Sequence, residues 1–245
     1  MCLLALCFRV VEDAPLVVGA NREEAYVRGG EPPKLLLGSV PAIGGRDPVG
    51  GGTWLGVNAL GLFVALTNRP KETKRGPLRS RGLLVRDLLG CRTAHEAAER
   101  AAMSLTRDVY AGCNVVCADS DQLVVVMAGD WLRVRPLPPG IHVLATGDVN
   151  SPTDRRVVHA LRWLRRRRFR CSDDIVAGLK DLCSDPGDES VPPICTHGPE
   201  WGTVSSSIVV LRQPLARSVY LHAQGPPDET PYADCSPLLR SLAGS

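Results

Sequence analysis

Apolar residues in the N-terminal part of the chain fall in short blocks bounded by turn-forming residues, a pattern of strands. Leu3 to Val11 and Leu16 to Ala20 are β-rich runs separated by Glu12-Asp13-Ala14-Pro15, so they predict a hairpin beginning almost at the terminus. Residues 28–52 are dense in Gly and Pro and predict mostly loop. Thr53 to Asn58 and Leu62 to Asn68 predict a second strand pair around Ala59-Leu60-Gly61.

The period then changes. Arg79 to Leu89 is a candidate helix. Beyond Thr93 the spacing of Ala94, Ala97, Ala98, Ala101, Ala102 and Leu105 marks one helical face, with Thr93 and Glu96 in a capping-box pattern. Strands are expected again at Asn114 to Ala118, Leu123 to Ala128, Leu132 to Leu137 and Ile141 to Thr146. A helix capped by Ser151 buries Val157, Leu161 and Leu164; another, from Ser172-Asp173-Asp174, buries Ile175, Leu179 and Leu182. Ser205 to Leu211 and Ser218 to Ala223 close the chain as strands. The order of strands, two helices, strands, two helices and strands fits two antiparallel sheets face to face under helix pairs, a four-layer α+β sandwich in one domain spanning residues 1–245.

Composition narrows the classes. A net charge of +3 over 245 residues does not define a nucleic-acid or membrane binder. The arginine run at Arg162, Arg165 to Arg168 and Arg170 reads as a solvated helix end, and nucleic acid is not an expected partner. No apolar run approaches the roughly 20 residues of a membrane span, and no cleavable leader is recognised. The nine cysteines are odd in number, scattered and without Cys-x-x-Cys. Reduced thiols in a cytoplasmic protein are therefore expected. The five histidines lack metal-ligand spacing, and no metal site is expected, although His197 beside Cys195 in a Pro/Gly-rich loop is a ligand type. Gly50-Gly51-Gly52 runs into a strand, which excludes a phosphate loop.

Cys2 is the first candidate for chemistry. Loss of Met1 would leave a thiol and a free α-amine on one residue, nucleophile and base together. Around it stand Asn21-Arg22-Glu23-Glu24, Gly44-Gly45-Arg46-Asp47, Gly51-Gly52-Thr53-Trp54-Leu55-Gly56-Val57-Asn58 and Ala65-Leu66-Thr67-Asn68-Arg69. This ordered series resembles the NRDE family, also called the transport-and-Golgi-organisation family. Ser151-Pro152 and Gly202-Thr203-Val204-Ser205-Ser206 look like its later motifs.

The resemblance implies an N-terminal-nucleophile fold akin to penicillin V acylases and bile-salt hydrolases. It also implies an amidohydrolase in which Cys2 attacks, Arg22 tunes the thiol and Asn68 holds the oxyanion. Asn21, Glu23, Arg46, Asp47 and Trp54 are the expected substrate-binding residues. No cofactor is required. The alternative is a non-catalytic carrier of haem, lipid or acyl-CoA, as the family's links to haem trafficking and lipid homeostasis suggest. Three positions depart from the family pattern: Glu23 for Asp, Thr146 where relatives often have Asn, and Val204 for a common Arg.

Overall fold

The computed structural model describes residues 2–72, 78–107 and 109–243, so the expected loss of Met1 lies outside the described residues. The chain opens with β1 (Leu3–Val11) and β2 (Ala14–Ala25), then β3 (Glu31–Leu36), β4 (Ala42–Arg46), β5 (Leu55–Asn58) and β6 (Phe63–Asn68). Helices α1 (Arg81–Leu88) and α2 (Ala94–Arg107) follow. Next come β7 (Cys113–Ala118), β8 (Leu123–Ala128), β9 (Leu132–Pro136) and β10 (Gly140–Leu144), then α3 (Arg155–Arg165) and α4 (Ser172–Cys183). β11 (Trp201–Leu211), β12 (Val219–Ala223), β13 (Ala233–Asp234) and α5 (Ser236–Ala243) complete it.

Two antiparallel sheets result. One has six strands in the order β10-β1-β2-β11-β12-β13; the other has seven, from β3 to β9 in sequence. Leu4, Leu6 and Phe8 of β1 pack with Val57, Phe63 and Val125 of the opposite sheet, which makes the central layer. The alternate residues Leu3, Ala5 and Cys7 pack outward on Leu161, Leu164 and Leu179 of α3 and α4. Residues Leu84, Val85, Ala97 and Ala101 of α1 and α2 cover the other sheet. The period-two alternation of β1 thus serves two cores at once, as a sheet buried on both faces requires. This is the expected α+β four-layer sandwich.

The structure corrects several element boundaries. Residues 28–52 are mostly loop as expected, but they also hold two short strands, β3 and β4. Pro32 and Pro33 are tolerated because β3 is an edge strand, where a missing N–H breaks no ladder. The cap of α3 is Asp154, not Ser151: its carboxylate accepts from Arg156 N (3.0 Å) and Val157 N (3.3 Å). The helix from Ser172 is not the last. α5 follows β13 and inserts Leu239 and Leu242 into the central core. Arg167 of the arginine run stacks over Trp163 (4.3 Å to the ring centroid) and approaches Asp181, so part of that run is engaged within the fold. All nine cysteines are free thiols. No described helix is long and apolar enough to cross a membrane.

Candidate active site

Sheet register brings the motif residues together. Leu3 pairs with Asn21, so one step further along the same register places Cys2 beside Arg22. Because Leu4 and Leu6 face the opposite sheet, Cys2 faces it too. Arg22 follows Val18 and Ala20 onto that same face. β2 is longer than its apolar run predicts, because it pairs with β11 from Trp201↔Ala25 to Leu211↔Leu16. That long pairing carries Asn21 to Glu24 inside a sheet instead of at a strand-ending turn.

Arg22 is buried and held by two contacts. It is 6% exposed, its Nη1 donates to Gly29 O, and its guanidinium lies over the Trp54 ring, 4.3 Å from the centroid. Such a stack is favourable for a desolvated cation. The glycines of the motif make room for the indole. A Cβ on Gly45 would lie 2.5 Å from the Trp54 ring, and one on Gly30 would lie 3.2 Å from it. The loop supplying Gly29 is itself tied down: Gln224 Nε2 donates to Gly30 O (2.7 Å), and His222 bridges Gln224 (2.9 Å) to Ser207 Oγ (2.9 Å).

The opposite wall comes from the other sheet and α1. Cys2, Arg22, Glu24, Arg28, Asp47, Trp54, Asn68 and the α1 start at Ser80 to Gly82 line one cavity of about 290 Å³. Gly52 lets α1 approach, since a Cβ there would meet the Gly82 carbonyl carbon at 2.0 Å, and Thr53 N donates to Gly82 O (3.0 Å). Ser80 caps the helix by accepting from Leu83 N. Asp47 accepts from Arg28 Nη2 (2.6 Å) and Val49 N (3.1 Å). Burial works to raise the Asp47 pKa, but the Arg28 and backbone hydrogen bonds prevail and hold it below its usual value.

Not every expected residue reaches the cavity. Asn21 and Glu23 sit on the other face of β2 from Arg22. Asn21 Nδ2 donates to Cys183 O (2.8 Å) and Ile194 O (3.1 Å), fastening α4 and the following segment, and Asn21 is not part of the cavity lining. The Glu23 carboxylate is fully buried and takes both guanidinium nitrogens of Arg156 from α3. Its carboxylate thus faces the helix layer, although Glu23 forms part of the cavity edge. Arg46 lies outside the lining, exposed, with Glu31 at 4.0 Å. The alternation of a strand explains all three: within Asn21 to Glu24, as within Arg46-Asp47, neighbours point to opposite sides.

Sequence reasoning missed Arg28 as the partner of Asp47, Glu24 as a wall residue (3.6 Å from Arg22 Nη2), and Arg156 as the partner of Glu23. Only Glu24 carried a signal, as the second charge after Arg22. The cavity walls hold Arg22, Arg28, Arg79 and Arg81 against Glu23, Glu24 and Asp47. Burial pushes the half-buried Cys2 thiol above its ordinary pKa of 9.0, and the Glu23 carboxylate adds to the rise; the Glu23 backbone N–H and Arg22 oppose it.

The sequence profile described as Transport and Golgi organisation 2 matches residues 1–220. The human Transport and Golgi organization protein 2 homolog is 25% identical over 232 residues, covering 80% of this chain and 82% of its own. Among solved structures, the Caenorhabditis elegans N-acylethanolamine-hydrolyzing acid amidase ortholog superposes with a TM-score of 0.58 at 16% identity. That match covers 85% of this chain and 92% of the amidase. Penicillin V acylase from Agrobacterium tumefaciens gives 0.56 at 8% identity, over 91% and 83% of the two chains. These likenesses identify the N-terminal-nucleophile hydrolase sandwich as the fold.

Proposed function

The chain belongs to the Transport and Golgi organisation 2 family, and on that premise we propose that it is an N-terminal cysteine amidohydrolase acting on a small amide. One observation carries the reading: Cys2, Arg22 and Asn68, brought from two sheets, share the lining of a single cavity. An acid amidase and a penicillin acylase among proteins of the same fold support the reaction class by analogy.

With Met1 removed, the Cys2 α-amine takes the thiol proton and the sulfur attacks the amide carbonyl carbon. The carbonyl oxygen becomes an oxyanion, and the Asn68 side-chain N–H donates to it. Collapse delivers the proton to the departing nitrogen, breaking the C–N bond and leaving a thioester on Cys2. Water then cleaves the thioester, releasing the acid and restoring the thiol. Arg22 favours the thiolate by its charge, and its stack on Trp54 fixes that charge in place. Thr146, where relatives often have Asn, is not part of the cavity lining, so Asn68 is the side-chain amide available to the oxyanion.

Asn68 supplies the test. Among the described residues no group bonds its side-chain amide, which leaves both N–H groups for a ligand. On any amide that the wild type turns over, Asn68→Ala lowers kcat by about 100- to 1,000-fold with a small change in KM. An unchanged kcat removes Asn68 from the mechanism.

A second reading, a carrier of haem or lipid, rests on a different feature. An apolar cleft of about 690 Å³ lies between α2 and β9, lined by Phe8, Ala98, Met103, Val134 and Leu137, with His95 in its wall. It is more than twice the volume of the Cys2 cavity. Haem titration then gives a saturable Soret shift that His95→Ala abolishes; a linear, unsaturable response refutes the carrier reading.

A further inference from the structure

Cys195, His197 and Asp228 meet on the helix-covered side of the first sheet, away from the cavity of Cys2. Cys195 Sγ lies 3.1 Å from Asp228 Oδ1 and 3.8 Å from His197 Nε2, and His197 Nε2 lies 2.7 Å from Asp228 Oδ2. We propose that these three side chains form a Zn²⁺ site that clamps the segment after α4 onto the turn before β13.

The geometry separates this reading from a second nucleophilic triad. A relay needs one imidazole nitrogen for the thiol and the other for the carboxylate. Here the same nitrogen, Nε2, faces both partners, so His197 cannot pass a proton between them. What converges instead is three donor atoms on one point, all within 4.8 Å of one another. A tetrahedral zinc ion with bonds of about 2.0–2.3 Å spaces its ligand atoms roughly 3.3–3.6 Å apart. The observed contacts, to Asp228 Oδ1 from the thiol and to Oδ2 from the imidazole, run from 2.7 to 3.8 Å on either side of that range. Zinc binding would widen the His197–Asp228 contact by about 0.6 Å and the Cys195–Asp228 contact by roughly 0.2–0.5 Å, and close the Cys195–His197 gap by about 0.2–0.5 Å.

The donor set selects the ion. A thiolate and an imidazole are poor ligands for calcium or magnesium, and a carboxylate with imidazole departs from what copper(I) prefers. Thiolate, imidazole and carboxylate together suit zinc, with the fourth position left to solvent. Cys195 is buried while His197 is exposed, so the ion has a route in, and binding releases the thiol proton to solvent.

The frame is fixed before any ion arrives. Cys195 N donates to Asp185 O (2.8 Å), Thr196 N to Thr203 Oγ1 (2.9 Å), and Thr203 N to Thr196 O (2.8 Å). On the other side, Ser184 Oγ donates to Pro227 O (3.0 Å), and Thr230 N closes the turn on Pro226 O (2.8 Å). The clamp also touches the Asn21 to Glu24 strand: Ile194 O, one residue before Cys195, accepts from Asn21 Nδ2 (3.1 Å) and from Arg156 Nη2 (3.2 Å), the partner of Glu23. No spacing rule could reveal the site, because Asp228 enters 31 residues after His197.

The test uses the full chain, reduced and stripped of metal. It is expected to bind one zinc per chain at micromolar free zinc and to unfold at a higher temperature when loaded. Cobalt(II) in place of zinc gives a thiolate charge-transfer band. Cys195→Ser abolishes that band, Cys2→Ser keeps it, and His197→Gln and Asp228→Asn, both at exposed residues, weaken zinc binding by at least about tenfold. Failure of the folded chain to retain zinc overturns the proposal. So does a charge-transfer band that survives Cys195→Ser and disappears in Cys2→Ser.

Discussion

Cys2→Ala abolishes amide hydrolysis, lowering kcat/KM by about 1,000-fold or more, while the fold is retained. The loss is this large because attack, proton acceptance and acyl transfer all pass through one residue. The fold survives because Cys2 stands just before β1, half-buried at a cavity wall, and the core begins at Leu3. A companion result concerns pH. The thiolate is the reactive form, and burial with the Glu23 carboxylate raises the thiol pKa. The reactive fraction therefore grows as pH increases, and kcat/KM climbs on the alkaline side of neutrality. A wild-type profile that falls with rising pH over this range contradicts the assignment of Cys2, as does Cys2→Ala with undiminished turnover.

Glu23→Gln is the change with the largest expected effect on stability, about 3–5 kcal/mol. Glu23 is fully buried and accepts from both terminal nitrogens of Arg156, whose side chain is 14% exposed. Removing the negative charge leaves a guanidinium desolvated among the carbonyls of Pro193 and Ile194 without its counter-ion. Thermal or denaturant unfolding measures the loss directly. A second readout distinguishes a purely structural role. Glu23 raises the Cys2 pKa, so Glu23→Gln shifts the alkaline limb of the kcat/KM profile to lower pH in whatever fraction remains folded. Stability within about 0.5 kcal/mol of wild type refutes the structural part. An unmoved pH profile refutes the electrostatic part.

Much of the fold is legible in the sequence because its signals are local. The alternation of β1, the alanine face of α2 and the inward stripes of α3 and α4 each specify an element without outside help. β3 and β4 escaped because their glycines and prolines are turn residues in isolation. Gly45 is needed in its strand for the Trp54 ring packed against it, a contact that only the three-dimensional arrangement supplies. The short α5 escaped because its anchors Leu239 and Leu242 reach a core built by distant strands.

The candidate site is legible in the same partial way. Cys2, Arg22, Asp47, Trp54 and Asn68 are found from motif and position, and all line the cavity. Asn21 and Arg46 were expected beside them, and strand alternation turns both away. Glu23 has the chemistry of a ligand group, and its Arg156 partner lies 133 residues away, beyond any local rule. Its role is to hold α3 against β2, close enough to Cys2 for its charge to be felt.

The most direct measurement is peptide mapping of the mature chain by mass spectrometry after brief alkylation at neutral pH with a limiting electrophile. The prediction is a chain that begins at Cys2, with Cys2 labelled ahead of Cys171 and Cys235, the two other half-buried thiols. A chain that keeps Met1, or one in which Cys171 or Cys235 labels first, contradicts the nucleophile assignment.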